Sequence, residues 1–346
     1  MSGTPATILI TGATGLIGFA TLVVTLKAGH TVRFTARNTE RAAVVLSNPV
    51  VQALSPGARL EPVIIPDLST PGSLDGALNG VTHILHIGSP VPRPAYDAYT
   101  DIFIPTLEMC ANVLSAALHA PTIKRVVITN SILGNIPPNQ DLSKPVLPSD
   151  RIPVSGDRPT AVDEQLFPAY TVGKRWEHHE TEAFIRTHKP AFSVCHIMPG
   201  YVFGRNELAL DAEMMTTSPN SSNAFLMMGM LGQETPISIH GGYAHVEDLA
   251  ELHLRLALLD DGPGGKAPVD MAISPSVDYD TVFDIVAKHF PKAVQAGVFT
   301  RGKIHQVPVA YDSTEAERLL GGLRSFERAV VDVAAQYLEK IGVEKE

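Results

Sequence analysis

The stretch Ile8-Leu9-Ile10-Thr11-Gly12-Ala13-Thr14-Gly15-Leu16-Ile17-Gly18 decides the fold. An apolar, β-branched run stops at three glycines spaced three apart, and the helical pattern Leu22-Val23-Val24 to Leu26 follows at once. The spacing predicts a strand over 8–11, a tight turn, and a helix over 15–28. Backbone N–H groups and the helix dipole at such a junction face an anion, and the missing side chains let a pyrophosphate approach. The pattern G-x-x-G-x-x-G is one residue longer than the G-x-G-x-x-G fingerprint. A glycine-rich loop without a ligand is the plain alternative. The position between a clear strand and a clear helix favours dinucleotide binding.

Working outward, strand-like segments recur near 31–35, 60–65, 83–87, 125–129 and 192–198. Helical patterns fall near 39–54, 102–119 and 165–187. This βαβ alternation predicts an α/β fold of Rossmann type, a doubly wound parallel sheet. A helix near 246–259 and a strand near 269–273 read as a return to that sheet. The expected division is a dinucleotide-binding domain of residues 1–203 plus 241–274. A smaller, discontinuous substrate region then comprises 204–240 plus 275–346, with short helices near 279–289 and 326–340. The Pro-rich stretch 136–159 reads as a long surface loop.

Composition narrows the function classes. The chain has 346 residues, of which 45% are hydrophobic, enough for a sizeable core. A formal net charge of −9 with no basic tract argues against a nucleic-acid partner. No uninterrupted apolar run reaches the roughly 18 residues of a membrane span, so no membrane partner is expected. The apolar start lacks a cationic leader and is broken by glycines, which reads as a core strand, and a cytoplasmic setting is expected. Cys110 and Cys195 sit in apolar segments and read as buried thiols, in keeping with a reducing compartment.

Ligands of doubly wound sheets bind beyond the carboxyl ends of the strands, so the residues after each strand carry the most weight. No Asp or Glu precedes Glu40, so the carboxylate that would bind a ribose 2′-hydroxyl is missing after the second strand. Arg37 and Arg41 stand there instead and can converge on a 2′-phosphate, which favours NADP(H) over NAD(H). Arg41 has the alternative of a solvated helix residue. Asp67-Leu68 follows the third strand, where an adenine edge would lie; a turn-forming Asp explains it equally well.

Tyr170-Thr171-Val172-Gly173-Lys174 opens a long helix, and i to i+4 spacing puts the tyrosine and lysine on one face. A nearby ammonium is expected to lower the pKa of the phenol, which can then protonate a carbonyl oxygen. Ser131 follows the fifth strand in Val127-Ile128-Thr129-Asn130-Ser131 and would hold the carbonyl in line with Tyr170. His178 and His179 are adjacent on one helix and point to different faces, and no metal site is expected.

With these motifs the chain resembles the extended short-chain dehydrogenase/reductases. Within them it is similar to the dihydroflavonol-reductase-like branch and its fungal NADPH-dependent methylglyoxal and ketone reductases. The resemblance covers nearly the whole chain. It implies that Gly12, Thr14, Gly15, Leu16 and Ile17 form the cofactor turn. It implies that Ile87, Gly88 and Ser89 pass under the cofactor, and that Pro199 and Val202 flank the nicotinamide. Ser131, Tyr170 and Lys174 fit the family's catalytic triad. In the family another serine usually precedes the triad serine; here Asn130 does, and Gly173 replaces the usual Ser or Ala.

The expected activity is NADPH-dependent reduction of a small-molecule ketone or aldehyde, by a monomer or homodimer. The alternatives are a sugar-nucleotide epimerase or dehydratase on the same scaffold and a non-catalytic NADP-binding regulator. Leu133, Tyr201, Met227 and Met228 are the candidate substrate contacts. The methionines of 214–230 read equally as ordinary core packing or as an adaptable wall over the substrate; in the second case the region 204–235 is expected to set substrate size without touching cofactor affinity.

Overall fold

In a computed structural model, residues 5–137, 144–217, 221–260 and 269–343 are described. Residues 138–143 of the expected loop and 218–220 of the Met-rich region lie outside them. So do 261–268 and both chain ends of the expected division.

The expected strands form in chain order: β1 (Thr7–Thr11), β2 (Thr31–Ala36), β3 (Leu60–Ile64), β4 (His83–His86), β5 (Arg125–Thr129) and β6 (Ser193–Pro199). Short strands follow: β7 (Tyr201–Phe203), β8 (Ile239–His240), β9 (Tyr243–His245), β10 (Met271–Ile273) and β11 (Gln306–Val307). One seven-stranded sheet has the order β10-β6-β5-β4-β1-β2-β3, and every pair in it is parallel. β4 and β5 are buried along their full length, as strands covered on both faces must be. The order turns back between β1 and β4, so the helices that follow those two strands cover opposite faces and leave a crevice at the strands' carboxyl ends.

Helices Leu16–Lys27 and Val246–Leu258 cover one face of the sheet. Ile104–Leu118 and Leu166–His188 cover the other. Arg125 on β5 is 3% exposed. Its Nη1 donates to the carbonyls of Leu256, Ala257 and Leu259 at 2.8, 3.2 and 2.7 Å, which places a cation on the negative end of a helix. A second core gathers Phe203, Tyr279 and Phe326, whose rings meet edge-on at 5.4–6.3 Å, around helix Phe326–Ile341. Cys110 and Cys195 are both buried, as expected of them.

Two helices depart from the sequence pattern. The segment 39–54 is two helices, Thr39–Leu46 and Pro49–Leu54. Pro49 has no N–H to continue the first helix, and Asn48 caps the second by accepting the Val50 N–H at 3.0 Å. The helix expected to begin at 102 starts at Ala98 with a widened π-turn, Ala98–Phe103, because Pro105 cannot donate to residue 101. Ala98–Leu118 is long and apolar enough to cross a membrane, and half of that window is buried in the fold. Asp101 and Glu108 interrupt its apolar run.

Candidate active site

The crevice between β1 and β4 is built by two backbone turns in contact. Gly12 has φ +76, and a Cβ there would lie 2.6 Å from Gly88 N and 2.7 Å from its Cα. Thr11 Oγ1 accepts the N–H groups of Ile87 and Gly88 at 3.1 and 3.0 Å and shares a hydrogen bond with His86 Nδ1 at 2.9 Å. The first glycine therefore lets the loop after β1 lie on the loop after β4. Gly18 serves packing: a Cβ there would meet Gly12 O at 2.2 Å. Gly15 is the N-cap of helix Leu16–Lys27, and no side chain caps that helix start. Its first N–H groups thus lack a side-chain partner. Ser89 Oγ is buried without a hydrogen-bond partner. An uncapped helix start, a side-chain-free turn and an orphan hydroxyl along one crevice fit a dinucleotide.

Arg37 and Arg41 are exposed beyond β2. Asn38 caps the helix between them, accepting the Arg41 N–H at 2.9 Å. Arg41 shares a small cavity with Thr14, Gly15, Leu16, Asn206, Leu208 and Met214. The first part of the Met-rich region thus lies against the turn after β1. The chain reaches there because Asn48 Nδ2 donates to Glu207 O at 2.8 Å and pins residues 206–208 beside helix Leu16–Lys27. Asp67 Oδ1 accepts Ser69 N–H and Oγ–H at 2.9 and 2.6 Å. Those bonds, Thr70, and the charge of Arg37 hold its carboxyl below the usual range. Asp67 closes its own turn, and Leu68 packs in the core at 9% exposure.

Ser131 lies just past β5, and its Oγ accepts the Leu133 N–H at 3.2 Å, capping the turn Ile132–Asn135. Tyr170 and Lys174 share a face of helix Leu166–His188, and the Ser131 hydroxyl lies near enough to the Tyr170 phenol to pull its pKa down. Burial pushes the Tyr170 phenol above its ordinary value, and the opposing pull of Lys174 and Ser131 does not cancel it. The expected lowering by lysine is thus outweighed by desolvation. Lys174 is 1% exposed. Its Nζ donates to Thr129 O at 3.0 Å and to Glu177 Oε2 and Oε1 at 2.9 and 3.2 Å. Burial works against its charge, and Glu177 and then Tyr170 raise its pKa above the ordinary value. Asn130 Nδ2 donates to Glu177 Oε2 and to Lys174 O, both at 2.9 Å. The roles of Glu177 and Asn130 carried no sequence signal.

The candidate substrate residues separate. Tyr201 stands near Tyr170 and His240, with its phenol pushed up by burial. Phe225, which the sequence did not single out, meets Tyr201 edge-on at 5.7 Å. Leu133 is half-buried in the turn after Ser131. Met227 is 1% exposed within the second core, and Met228 is half-buried, its carbonyl accepting from Gln233 N–H at 3.0 Å. Pro199 ends β6 and is buried; Val202, 5% exposed, packs in the core of the sheet face.

His178 meets a partner that its spacing from His179 did not announce. Its Nε2 and His196 Nδ1 contact the two oxygens of Asp270 at 3.1 and 3.2 Å, and the two rings lie 4.1 Å apart. Three residues able to ligate a metal thus come together. Arg151 Nη2 at 2.7 Å and the His196 N–H at 2.8 Å also bind Asp270, so the carboxylate is fully hydrogen-bonded within the chain.

Comparison with known proteins agrees with this architecture. Residues 8–268 match the model of the NAD dependent epimerase/dehydratase family, so the chain belongs to that family, a group of extended short-chain dehydrogenases/reductases. It is 32% identical over 348 residues to ketoreductase CTB6 of Cercospora nicotianae, covering 96% of this chain and 95% of the relative. It is 34% identical over 334 residues to the NAD-dependent epimerase/dehydratase ALT6 of Alternaria alternata, covering 91% and 92%. The crystal structure of Gre2 from Candida albicans in complex with NADPH superposes with a TM-score of 0.79 at 22% identity, covering 97% of this chain and 99% of that one. That likeness is one of fold.

Proposed function

We propose that this member of the family is an NADPH-dependent carbonyl reductase acting on a small ketone or aldehyde. The observation that carries the reading is Tyr170 on one helix face with the buried ammonium of Lys174, with the Ser131 hydroxyl near the phenol. Ser131 and Tyr170 offer two hydroxyls to one carbonyl oxygen. When bound, the reduced nicotinamide supplies the hydride that the carbonyl carbon takes. Tyr170 gives its proton to the oxygen as negative charge builds there. Ser131 holds that oxygen in line. Lys174 stabilises the resulting phenolate from its buried place on Glu177 and Thr129. Gly12, Thr14, Gly15, Leu16 and Ile17 would hold the pyrophosphate, with Ile87, Gly88 and Ser89 across the crevice. The ketoreductase relatives support reduction as the direction.

The test is NADPH oxidation over small dicarbonyls, aryl ketones, β-keto esters and polyketide-like ketones. Turnover of at least one class is expected. The family model also covers epimerases and dehydratases. Redox-neutral conversion of a sugar nucleotide, with no NADPH consumed by any carbonyl, would overturn the reductase reading.

NADPH is proposed over NADH because two exposed arginines follow β2 and no acid precedes Glu40. Losing one charge-assisted contact costs about 1.5–3 kcal/mol. Arg37→Ala should therefore weaken NADPH binding by roughly tenfold or more and leave NADH nearly unchanged in a fluorescence titration. Equal loss for both cofactors would remove the 2′-phosphate assignment.

Substrate size is proposed to depend on Tyr201 and Phe225, whose rings stand on the Tyr170 side of the site, more than on Met227. Truncating an apolar wall shifts discrimination by about 1–3 kcal/mol. Tyr201→Ala and Phe225→Ala should change the kcat/KM ratio between a bulky and a small ketone. Met227→Ala should chiefly lower stability, by about 2–5 kcal/mol as a buried methionine truncation. An unchanged substrate ranking in both aromatic variants would place the wall elsewhere.

A further inference from the structure

We infer that Glu177, held by Asn130, is a positioning residue that fixes the Lys174 ammonium beside Tyr170, an inference that rests on the reductase reading above. Lys174 and Glu177 are each 1% exposed, three residues apart on one helix. The ammonium has three N–H bonds and finds three acceptor atoms in Glu177 Oε2, Glu177 Oε1 and Thr129 O. A buried carboxylate is tolerated only when its own lone pairs are met, and Asn130 Nδ2 meets one at 2.9 Å. The same amide donates to Lys174 O at 2.9 Å, and its oxygen accepts the Ser131 N–H at 2.7 Å. One side chain thus joins the serine, the lysine backbone and the carboxylate. The residue that departs from the usual serine before Ser131 is the one that secures Glu177.

The charges around the pair give the inference its readout. The titratable groups facing it, from every packed element, are Tyr170, Tyr201, His86, Cys110 and His178, with Glu180 behind Cys110. His86 is kept neutral, its pKa lowered to about 3 by burial and then by Lys174. Burial holds Cys110 as the thiol. Glu177 is the carboxylate within hydrogen-bond reach of the ammonium among the described residues. Its negative charge raises the proton affinity of Lys174 and of Tyr170 alike. Reduction needs both protons in place, so removing that charge moves the alkaline limb of the reaction to lower pH, whichever proton is lost first.

The experiment measures kcat/KM for carbonyl reduction against pH in the wild type, Glu177→Gln and Glu177→Asp, with melting temperature and NADPH titration of each. Glu177→Gln keeps the shape and removes the charge. Its alkaline limb should fall by at least about one pH unit, the lower end for loss of an ion-pair partner. Glu177→Asp keeps the charge one methylene farther away and should fall less. A merely structural role would lower the melting temperature and leave the limb in place, and that result overturns the inference. Should Glu177→Gln fail to fold, Glu177→Asp carries the test, and a wild-type limb in it overturns the inference. Undiminished turnover in Tyr170→Phe would instead sink the reductase mechanism itself, whereas an inactive Tyr170→Phe with an unmoved Glu177→Gln limb removes only the role of Glu177.

Discussion

Tyr170→Phe is expected to lose at least about 10²-fold in kcat, the lower range for general acid catalysis, while NADPH binding is retained. The substitution deletes one oxygen and leaves the ring, so the face of helix Leu166–His188 that carries Lys174 keeps its packing. Burial holds the phenol above its ordinary value, with Lys174 and Ser131 pulling it back only in part. A raised pKa keeps the acid protonated through neutral pH. Reduction should therefore be constant across the neutral range and fall as pH rises through the pKa of Tyr170. The reverse reaction needs the phenolate and should rise over the same interval. Steady-state kinetics over pH, with a parallel NADPH titration, check both parts; near-normal turnover in Tyr170→Phe would refute the assignment.

What the sequence made legible was local. The glycine triplet, the strand-helix alternation and the Tyr170–Lys174 spacing are patterns within a few residues, and the backbone realises them where they were read. The return strand near 269–273 forms as Met271–Ile273 because its short apolar run can only be buried against β6. Contacts between distant positions left no such trace. Asn130 and Glu177 meet across a strand end and a helix. His178, His196 and Asp270 meet across a helix and the last two sheet strands. Arg125 opens the expected strand 125–129, and nothing in the sequence announces that it is buried on three carbonyls. The methionines left core and pocket wall undecided for a related reason. Flexible apolar side chains suit a pocket wall and a core equally, and only the position of helix Asn223–Met230 against Phe326–Ile341 puts Met227 in the core. Neighbouring Phe225 faces Tyr201 instead.

Gly12→Ala and Gly15→Ala are expected to separate the two demands placed on the turn after β1. At Gly12 the backbone is left-handed, φ +76, a conformation costing a side-chain-bearing residue about 1–2 kcal/mol. The new methyl would also press on Gly88 N and Cα at 2.6 and 2.7 Å, backbone atoms held by Thr11 Oγ1. Overpacking of that kind costs about 1–3 kcal/mol. Together the loss of stability should be about 2–5 kcal/mol, and cofactor affinity should fall with it, because relief comes only by parting the two loops that form the crevice. Gly15 differs on both counts. Its backbone is extended at φ −116, and a Cβ meets nothing closer than Gly12 O at 3.5 Å. Gly15→Ala should therefore fold within about 0.5 kcal/mol of the parent. Its methyl stands at the uncapped helix start where the pyrophosphate is proposed to sit. Displacing even one charge-assisted hydrogen bond there costs about 1.5–3 kcal/mol, so NADPH affinity should drop by roughly tenfold or more. Urea unfolding of both variants, without cofactor and with saturating NADPH, reads the two effects apart. Equal destabilisation by both substitutions would mean that the turn is only a packing device. A Gly15→Ala protein that is stable and binds NADPH like the parent would move the pyrophosphate away from this helix start.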